Sequence, residues 1–143
     1  MKIRVLLVDD EKEFVDVLAE RLETRDFEVQ KALNGNEALS SLKDKDADVV
    51  ILDVCMPGKD GISTLNEIKL MKPLTEVIML TGQATVPSAV EGLKCGAYDY
   101  LMKPTETKDL VEKIVKAYKR KAEQEERIRQ AEIENIMVRR GWG

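Results

Sequence analysis

The most constraining feature of the sequence is an apolar run that ends directly in a carboxylate. Val49 to Leu52 is uninterrupted apolar sequence, and Asp53 follows it. A continuous apolar run bounded by turn residues is typical of a strand buried on both faces, as in a parallel sheet covered by helices. Because an unpaired charge is costly inside such a core, Asp53 is expected at the mouth of the strand. There it faces solvent, a metal or a reaction, and Met56-Pro57-Gly58 ends the strand.

Further strand-like segments alternate with amphipathic ones. The predicted strands are 3–8, 27–32, 76–80 and 97–102, and 27–32 alternates polar and apolar residues as an edge strand does. The first predicted helix is 11–25, and the second opens with the Asn34–Glu37 capping box. The third is supported by Ile62, Leu65, Ile68 and Leu70 and stops before Pro73, the fourth covers 86–95, and the last is capped by Thr107. Strands separated by single helices form right-handed βαβ units, so we predict an α/β fold with a parallel sheet.

Composition excludes several classes of function. A chain of 143 residues suits one domain. A net charge of −4 argues against direct binding of nucleic acid or of an anionic membrane. No apolar run is long enough to cross a bilayer and no signal peptide is visible, so we expect a cytoplasmic location. The chain has no histidine, which excludes Ser-His-Asp and Cys-His catalysis and histidine zinc sites. Cys55 and Cys95 are interpreted as free thiols rather than a disulfide.

The predicted strand ends carry an unusual set of polar residues. They are Asp9-Asp10, Asp53, Thr81 and Lys103. Carboxyl ends of parallel strands meet at one edge of the sheet, where ligands bind in open α/β folds. Crowded carboxylates suit a hard cation such as Mg²⁺, while a lysine and a hydroxyl are donors for an anion with several oxygens. The set therefore indicates a phosphoryl-transfer site, in which a carboxylate can itself be the nucleophile.

Over residues 1 to about 120 the sequence resembles the receiver domain of bacterial two-component response regulators, the CheY-like superfamily. The resemblance rests on Asp9-Asp10, on Asp53 with Met56-Pro57 and Asp60-Gly61 behind it, and on Thr81-Gly82, Tyr100 and Lys103-Pro104. Each motif is weak alone, but together and in order they are specific. The resemblance implies a flavodoxin-like doubly wound sheet of five parallel strands in the order 2-1-3-4-5, with helices on both faces.

The resemblance also implies a role for each matching residue. Asp53 resembles the phosphoacceptor, and Lys103 the lysine that pairs first with it and then with the phosphoryl oxygens. Thr81 resembles the switch hydroxyl that moves onto the phosphoryl group, and Tyr100 the aromatic residue that then turns inward. Lys103-Pro104 is similar to the cis peptide of the family.

The implied cofactor is Mg²⁺, with Mn²⁺ as a substitute. Its implied ligands are Asp10, Asp53 and the main-chain carbonyl of Cys55, with Asp9 acting mostly through water. Cys55 and Gln83 occupy positions that tune the phosphoryl lifetime in the family, and their combined effect stays open.

The implied function is a signalling switch rather than an enzyme in the usual sense. A sensor histidine kinase or a phosphotransfer protein supplies the phosphoryl group, and the receiver catalyses its own phosphorylation and slow hydrolysis. The implied readout surface combines the 86–95 helix, the 98–102 strand and the last helix. The resemblance allows a homodimer that forms through that surface or through the C-terminal helix.

Two other functions fit parts of the pattern. Haloacid-type phosphatases also use an aspartate nucleophile at a strand end, but they resemble a pattern with a second acid two residues later, where this chain has Cys55. A degenerate receiver would signal without phosphate, although every acid, the lysine and the hydroxyl are present here.

The composition changes after Tyr118. Residues 119–140 are nearly all charged, Gln or Ala, which predicts an extended C-terminal helix without a sustained heptad. We therefore divide the chain into a receiver domain, 1–120, and a charged extension, 121–143. The extension is an interaction helix, a linker to an output domain, or a solvated helix without a role.

Overall fold

A computed structural model describes residues 2–54, 61–82 and 86–141. Five parallel strands form one sheet in the order β2-β1-β3-β4-β5, as predicted. The strands are β1 Arg4–Val8, β2 Glu28–Ala32, β3 Val49–Leu52, β4 Glu76–Thr81 and β5 Asp99–Met102. Every residue of β3 and of β4 is buried, whereas only the last residue of the edge strand β2 is. This contrast confirms what the continuous and alternating patterns predicted.

Helices cover both faces of the sheet. They are α1 Lys12–Glu23, α2 Gly35–Asp44, α3 Gly61–Met71, α4 Val86–Lys94 and α5 Thr107–Arg139. One apolar core lies between the sheet and the buried faces of α1 and α5. A second core lies on the other face, against α2 and α3. Because helices bury an apolar core against each face of the sheet, the fold is doubly wound.

Some of the helix ends that the sequence predicted are confirmed, and one is not. The Asn34 side chain accepts a hydrogen bond from the Glu37 N–H at 2.9 Å, as the capping box predicted. Gly96 after α4 has a φ of +105°, a conformation that favours glycine. The prediction that Thr107 caps α5 is wrong, because Thr107 is the first helical residue and the N-cap is Glu106.

The helix that Ile62, Leu65, Ile68 and Leu70 predicted is α3, but Leu70 lies on its exposed face. The relative exposure of Leu70 is 84%, whereas Leu65 and Ile68 are fully buried. Successive helical residues are rotated by about 100°, so Leu70 lies on the side opposite Ile68.

Helix α5 continues for more than four turns beyond its last buried residue. Its 33 residues span about 50 Å. Lys121 is its last buried residue, and the described residues from 125 onward are exposed. Within the described ranges, no helix is both long and apolar enough to cross a membrane.

The last buried turn of α5 is held by ion pairs at the amino edge of the sheet. Lys121 Nζ lies 3.1 Å from Asp48 Oδ1, and Arg4 Nη2 lies 3.0 Å from the same oxygen. Arg120 Nε lies 3.2 Å from Oε2 of the buried Glu76. Consecutive cations of α5 thus pair with carboxylates at the starts of β3 and β4.

Candidate phosphoryl-transfer site at the carboxyl edge of the sheet

The carboxyl edge of the sheet brings together the residues that the sequence placed at strand ends. Asp9 follows β1, Asp53 follows β3, Thr81 ends β4, and Lys103 follows β5. Backbone hydrogen bonds continue the ladder to this edge, since Asp53 N–H donates to Val8 O and Lys103 N–H donates to Thr81 O. The sheet register therefore sets the position of each side chain.

Asp9, Asp10 and Asp53 form a compact acidic cluster. One carboxylate oxygen of each lies within 4.8 Å of the others. Asp9 and Asp53 are 4% and 5% exposed, whereas Asp10 is exposed. Buried carboxylates so close together repel one another, and a divalent cation with oxygen ligands relieves that repulsion. The donor set fits Mg²⁺, with the open side at Asp10.

Of the described residues, Lys103 is the cation that lies at this cluster. Its Nζ lies 2.5 Å from Asp9 Oδ2 and 3.6 Å from Asp53 Oδ2. The resemblance implied a pair with Asp53, whereas here the shorter contact is with Asp9. The lysine follows β5 directly, and the Lys103-Pro104 peptide is cis, as expected.

The electrostatics of this pair are set by burial and by its partners. Burial raises the pKa of Asp9 above its ordinary value, and this outweighs the hydrogen bonds from Lys103 and from the Glu11 N–H. Burial lowers the pKa of Lys103, but its pairing with Asp9, Asp53 and Glu11 outweighs burial, and the pKa lies above its ordinary value. The lysine therefore stays charged throughout the neutral range.

The two predicted switch residues lie on the neighbouring strands. Thr81 is completely buried at the end of β4, and the strand register pairs it with Met102. Tyr100 lies in β5, is half-buried, and packs against the core on the α2–α3 side of the sheet. The structure brings Thr81 to the acidic edge and leaves the role of Tyr100 a prediction.

Part of the predicted site lies outside the described residues. Cys55, with its main-chain carbonyl, Met56-Pro57, Asp60 and Gln83 belong to the segments 55–60 and 83–85. Their assignments stay predictions.

Two neighbours of Lys103 were not predicted. Glu11 Oε1 lies 3.4 Å from the Lys103 Nζ, and the Phe14 ring centroid lies 4.2 Å from it. Both follow Asp9-Asp10 closely in the chain, which is the only signal that the sequence offered for them.

Buried carboxylates and a charged lysine lie together at the carboxyl edge of a flavodoxin-like sheet, where β4 ends in the buried Thr81. The family model of the response regulator receiver domain matches residues 5–115. This chain belongs to that family.

The relatives of this receiver include much longer proteins. The transcriptional regulatory protein ZraR of Salmonella typhimurium is 40% identical over 116 residues, which are 81% of this chain and 26% of ZraR. The regulatory protein AtoC of Escherichia coli is 41% identical over 107 residues, which are 75% of this chain and 23% of AtoC. The receiver thus spans about a quarter of the length of these curated relatives.

Solved structures match nearly the whole receiver. The crystal structure of a CheY-like receiver domain protein from Methanospirillum hungatei has a TM-score of 0.83 at 29% identity, and the match covers 87% of this chain and 99% of that one. A receiver of a two-component response regulator is a signalling switch, and this chain is one.

Proposed function

We propose that this receiver accepts a phosphoryl group on Asp53 from the phosphohistidine of a sensor histidine kinase or a phosphotransfer protein. The observation that carries the proposal is the shared Lys103, which lies within 4 Å of both Asp9 and Asp53 beside an acidic cluster. The chain has no histidine, so the imidazole must come from the partner.

The transfer needs one displacement at phosphorus. A carboxylate oxygen of Asp53 attacks the phosphorus in line, and the O–P bond forms as the P–N bond breaks. The electron pair of that bond leaves with the imidazole nitrogen. Lys103 is close enough to turn from the carboxylates to the phosphoryl oxygens, where its charge stabilises the transition state.

The acidic cluster would hold Mg²⁺ through Asp10, Asp53 and the carbonyl of Cys55, with Asp9 contributing through water. The ion would supply positive charge next to the reacting phosphoryl oxygens. Mn²⁺, which takes similar oxygen ligands, would substitute for it.

The new phosphoryl charge is the proposed signal. Thr81 would move its hydroxyl onto the phosphoryl group, and Tyr100 would turn into the space that Thr81 leaves. The α4-β5-α5 surface would then change. Several apolar side chains are exposed on this surface before any such change, namely Val90, Leu93 and Met102.

The sequence puts the end of the receiver at residue 120. Because Lys121 is buried and pairs with Asp48, we place the start of the extension, which connects to a partner or an output domain, after Ala122. Two surfaces suit self-association: the α4-β5-α5 surface and the C-terminal half of α5. That half exposes several apolar residues, namely Ile128, Ile133, Ile136, Met137 and Val138.

The decisive experiment is the intact mass of the protein after incubation with acetyl phosphate and Mg²⁺. We expect a gain of one phosphoryl group in the natural sequence, no gain without metal and no gain in Asp53→Asn. Circular dichroism should show that Asp53→Asn is folded. A variant labelled as fully as the natural sequence would overturn the assignment of Asp53.

An adduct that hydrolyses quickly would escape detection by mass. Binding of beryllofluoride, a stable mimic of the phosphoryl group, distinguishes this case, because a competent site holds it only with a divalent cation and Asp53. A folded protein that neither gains mass nor binds the mimic would refute the proposed function.

A further inference from the structure

Among the residues that the structure describes, Lys103 has four close partners of two chemical kinds. Three are carboxylates, with Nζ–O distances of 2.5 Å to Asp9, 3.4 Å to Glu11 and 3.6 Å to Asp53. The fourth is the ring of Phe14, whose centroid lies 4.2 Å from Nζ. This distance is within the range of about 6 Å in which a cation is attracted to an aromatic face.

The carboxylates alone do not define one position for the ammonium group. A lysine carries a compact charge on a flexible four-carbon stem and has no preferred direction of pairing. The carboxylates around it therefore compete for the same charge. A contact that is not a carboxylate limits how far the ammonium group can move among them.

Phe14 is itself fixed by the fold. It lies in the first turn of α1, is half-buried, and packs against the core between the sheet and α1 and α5. Leu18 one turn later, Leu80 of β4 and Pro104 line the same groove of about 160 Å³ beside Lys103. The position of the ring relative to Lys103 is therefore set by how α1 packs on the sheet.

We infer that Phe14 is a positioning residue, whose aromatic face holds the Lys103 ammonium group at the point between Asp9 and Asp53 where phosphoryl oxygens arrive. The inference rests on the proposed function for its consequence, but the contact itself can be tested without phosphate. Phe14 touches the lysine and not the reacting atoms, so its effect on transfer is indirect.

Substitutions distinguish a Phe14 that only fills space from a Phe14 that attracts the ammonium group through its aromatic face. Leucine fills part of the same space but has no negative aromatic face, whereas tyrosine keeps the face. Ring fluorination weakens the attraction of the face for a cation with little change in shape. The chain has only two phenylalanines, Phe14 and Phe27, so fluorinated phenylalanine can be incorporated throughout and both sites followed by ¹⁹F NMR.

The first readout is the NMR signal of the Lys103 εCH₂ group without metal or phosphate, assigned by its loss in Lys103→Met. We expect an upfield ring-current shift in the natural sequence, its retention in Phe14→Tyr and its loss in Phe14→Leu. The matched control is Phe27→Leu, the same change next to β2 at the opposite edge of the sheet. A Lys103 signal that does not change in Phe14→Leu would overturn the inference.

The second readout is affinity for beryllofluoride in the presence of Mg²⁺. We expect Phe14→Leu to bind beryllofluoride about three- to tenfold more weakly than the natural sequence. We expect the same loss when pentafluorophenylalanine replaces Phe14 in a Phe27→Leu background, compared with the unfluorinated Phe27→Leu protein. Phe14→Tyr should restore binding, and Phe27→Leu alone should not change it. Weak binding in Phe14→Tyr as well, or normal binding of the fluorinated protein, would show that only packing matters. If the natural sequence neither gains a phosphoryl group nor binds beryllofluoride, the proposed function fails, while the lysine signal still decides the contact.

Discussion

At the scale of single residues, Lys103 determines the balance of charge at the acidic edge. Asp9 and Asp53 are nearly completely buried, and this lysine lies within ion-pair distance of both. A buried carboxylate without a cation is expensive, so the lysine stabilises the metal-free site as well as any phosphorylated state. The two roles can be separated by removing the ammonium group.

We predict that Lys103→Ala still binds Mg²⁺, at least as tightly as the natural sequence, but responds poorly to the phosphoryl mimic. Removing one positive charge from among three carboxylates favours a divalent cation. Calorimetric titration measures the first effect, and amide chemical shifts of β4 and β5 with beryllofluoride measure the second. Lys12→Ala, which removes an exposed lysine of α1, is the control. Normal shifts in Lys103→Ala would refute its role.

The sequence placed Asp9, Asp53, Thr81 and Lys103 correctly because each directly follows or ends a strand, and sheet topology fixes strand ends. It could not place Phe14 and Glu11 beside Lys103. Their contacts depend on the rotation of α1 about its axis and on the path of a flexible lysine. The preference of Lys103 for Asp9 over Asp53 is likewise set by side-chain conformations that no spacing encodes.

At the scale of secondary-structure elements, the start of α3 packs closely against the backbone that follows β3. A Cβ at the buried Gly61 would lie 2.2 Å from Val54 Cα and 2.9 Å from Asp53 O. Both contacts are with backbone, so a larger residue must displace the segment that carries Asp53. Gly82 offers the opposite case at the same edge, because its nearest neighbour would be Lys103 Cβ at 3.9 Å.

We therefore predict that Gly61→Ala lowers the free energy of unfolding by about 2 kcal/mol or more, the range of strained overpacking. Gly82→Ala should change it by less than about 0.5 kcal/mol. Urea unfolding followed by circular dichroism measures both. Equal stability of the two variants would show that the backbone at Asp53 and Val54 adapts without cost.

Asp48 makes the attachment of α5 sensitive to pH. Burial raises the pKa of Asp48, but hydrogen bonds from Arg4 and Lys121 outweigh burial and hold the pKa below its ordinary value. A carboxylate with a lowered pKa contributes stability at pH values above its unfolded-state pKa, near 4. This contribution is lost as the pH falls through the lower folded-state pKa.

The expected outcome is that the free energy of unfolding falls between about pH 5 and pH 2, and falls less steeply in Asp48→Asn. Urea unfolding at a series of pH values provides the test. Asp44→Asn removes an exposed carboxylate of α2 and should leave the slope nearly unchanged. An Asp48→Asn profile parallel to that of the natural sequence would show that other carboxylates dominate.

At the scale of the whole molecule, the ion pairs at the amino edge of the sheet mark where the body ends. The sequence predicted a boundary near residue 120 from the change in composition. It could not show that Arg120 and Lys121, within the charged segment, pair with Glu76 and Asp48. A charged residue on a helix is usually solvated and unpaired. Only the packing of α5 on the sheet shows that Lys121 is buried and that Arg120, although exposed, pairs with a buried carboxylate.

This assignment predicts different results for two truncations that differ by three residues. Ending the chain after Ala122 keeps both cations and should change the free energy of unfolding by less than about 1 kcal/mol. Ending it after Lys119 leaves Asp48 and Glu76 each with one cation fewer and should cost about 2 to 4 kcal/mol. Urea unfolding compares the two chains, and Lys119→Ala in the full chain tests a neighbouring exposed lysine that should be neutral. If both truncations are equally destabilised, residues 123–143 stabilise the body directly and are not a separate extension. If only the shorter chain is destabilised, the helix beyond Ala122 is free to bind a partner or an output domain without weakening the receiver.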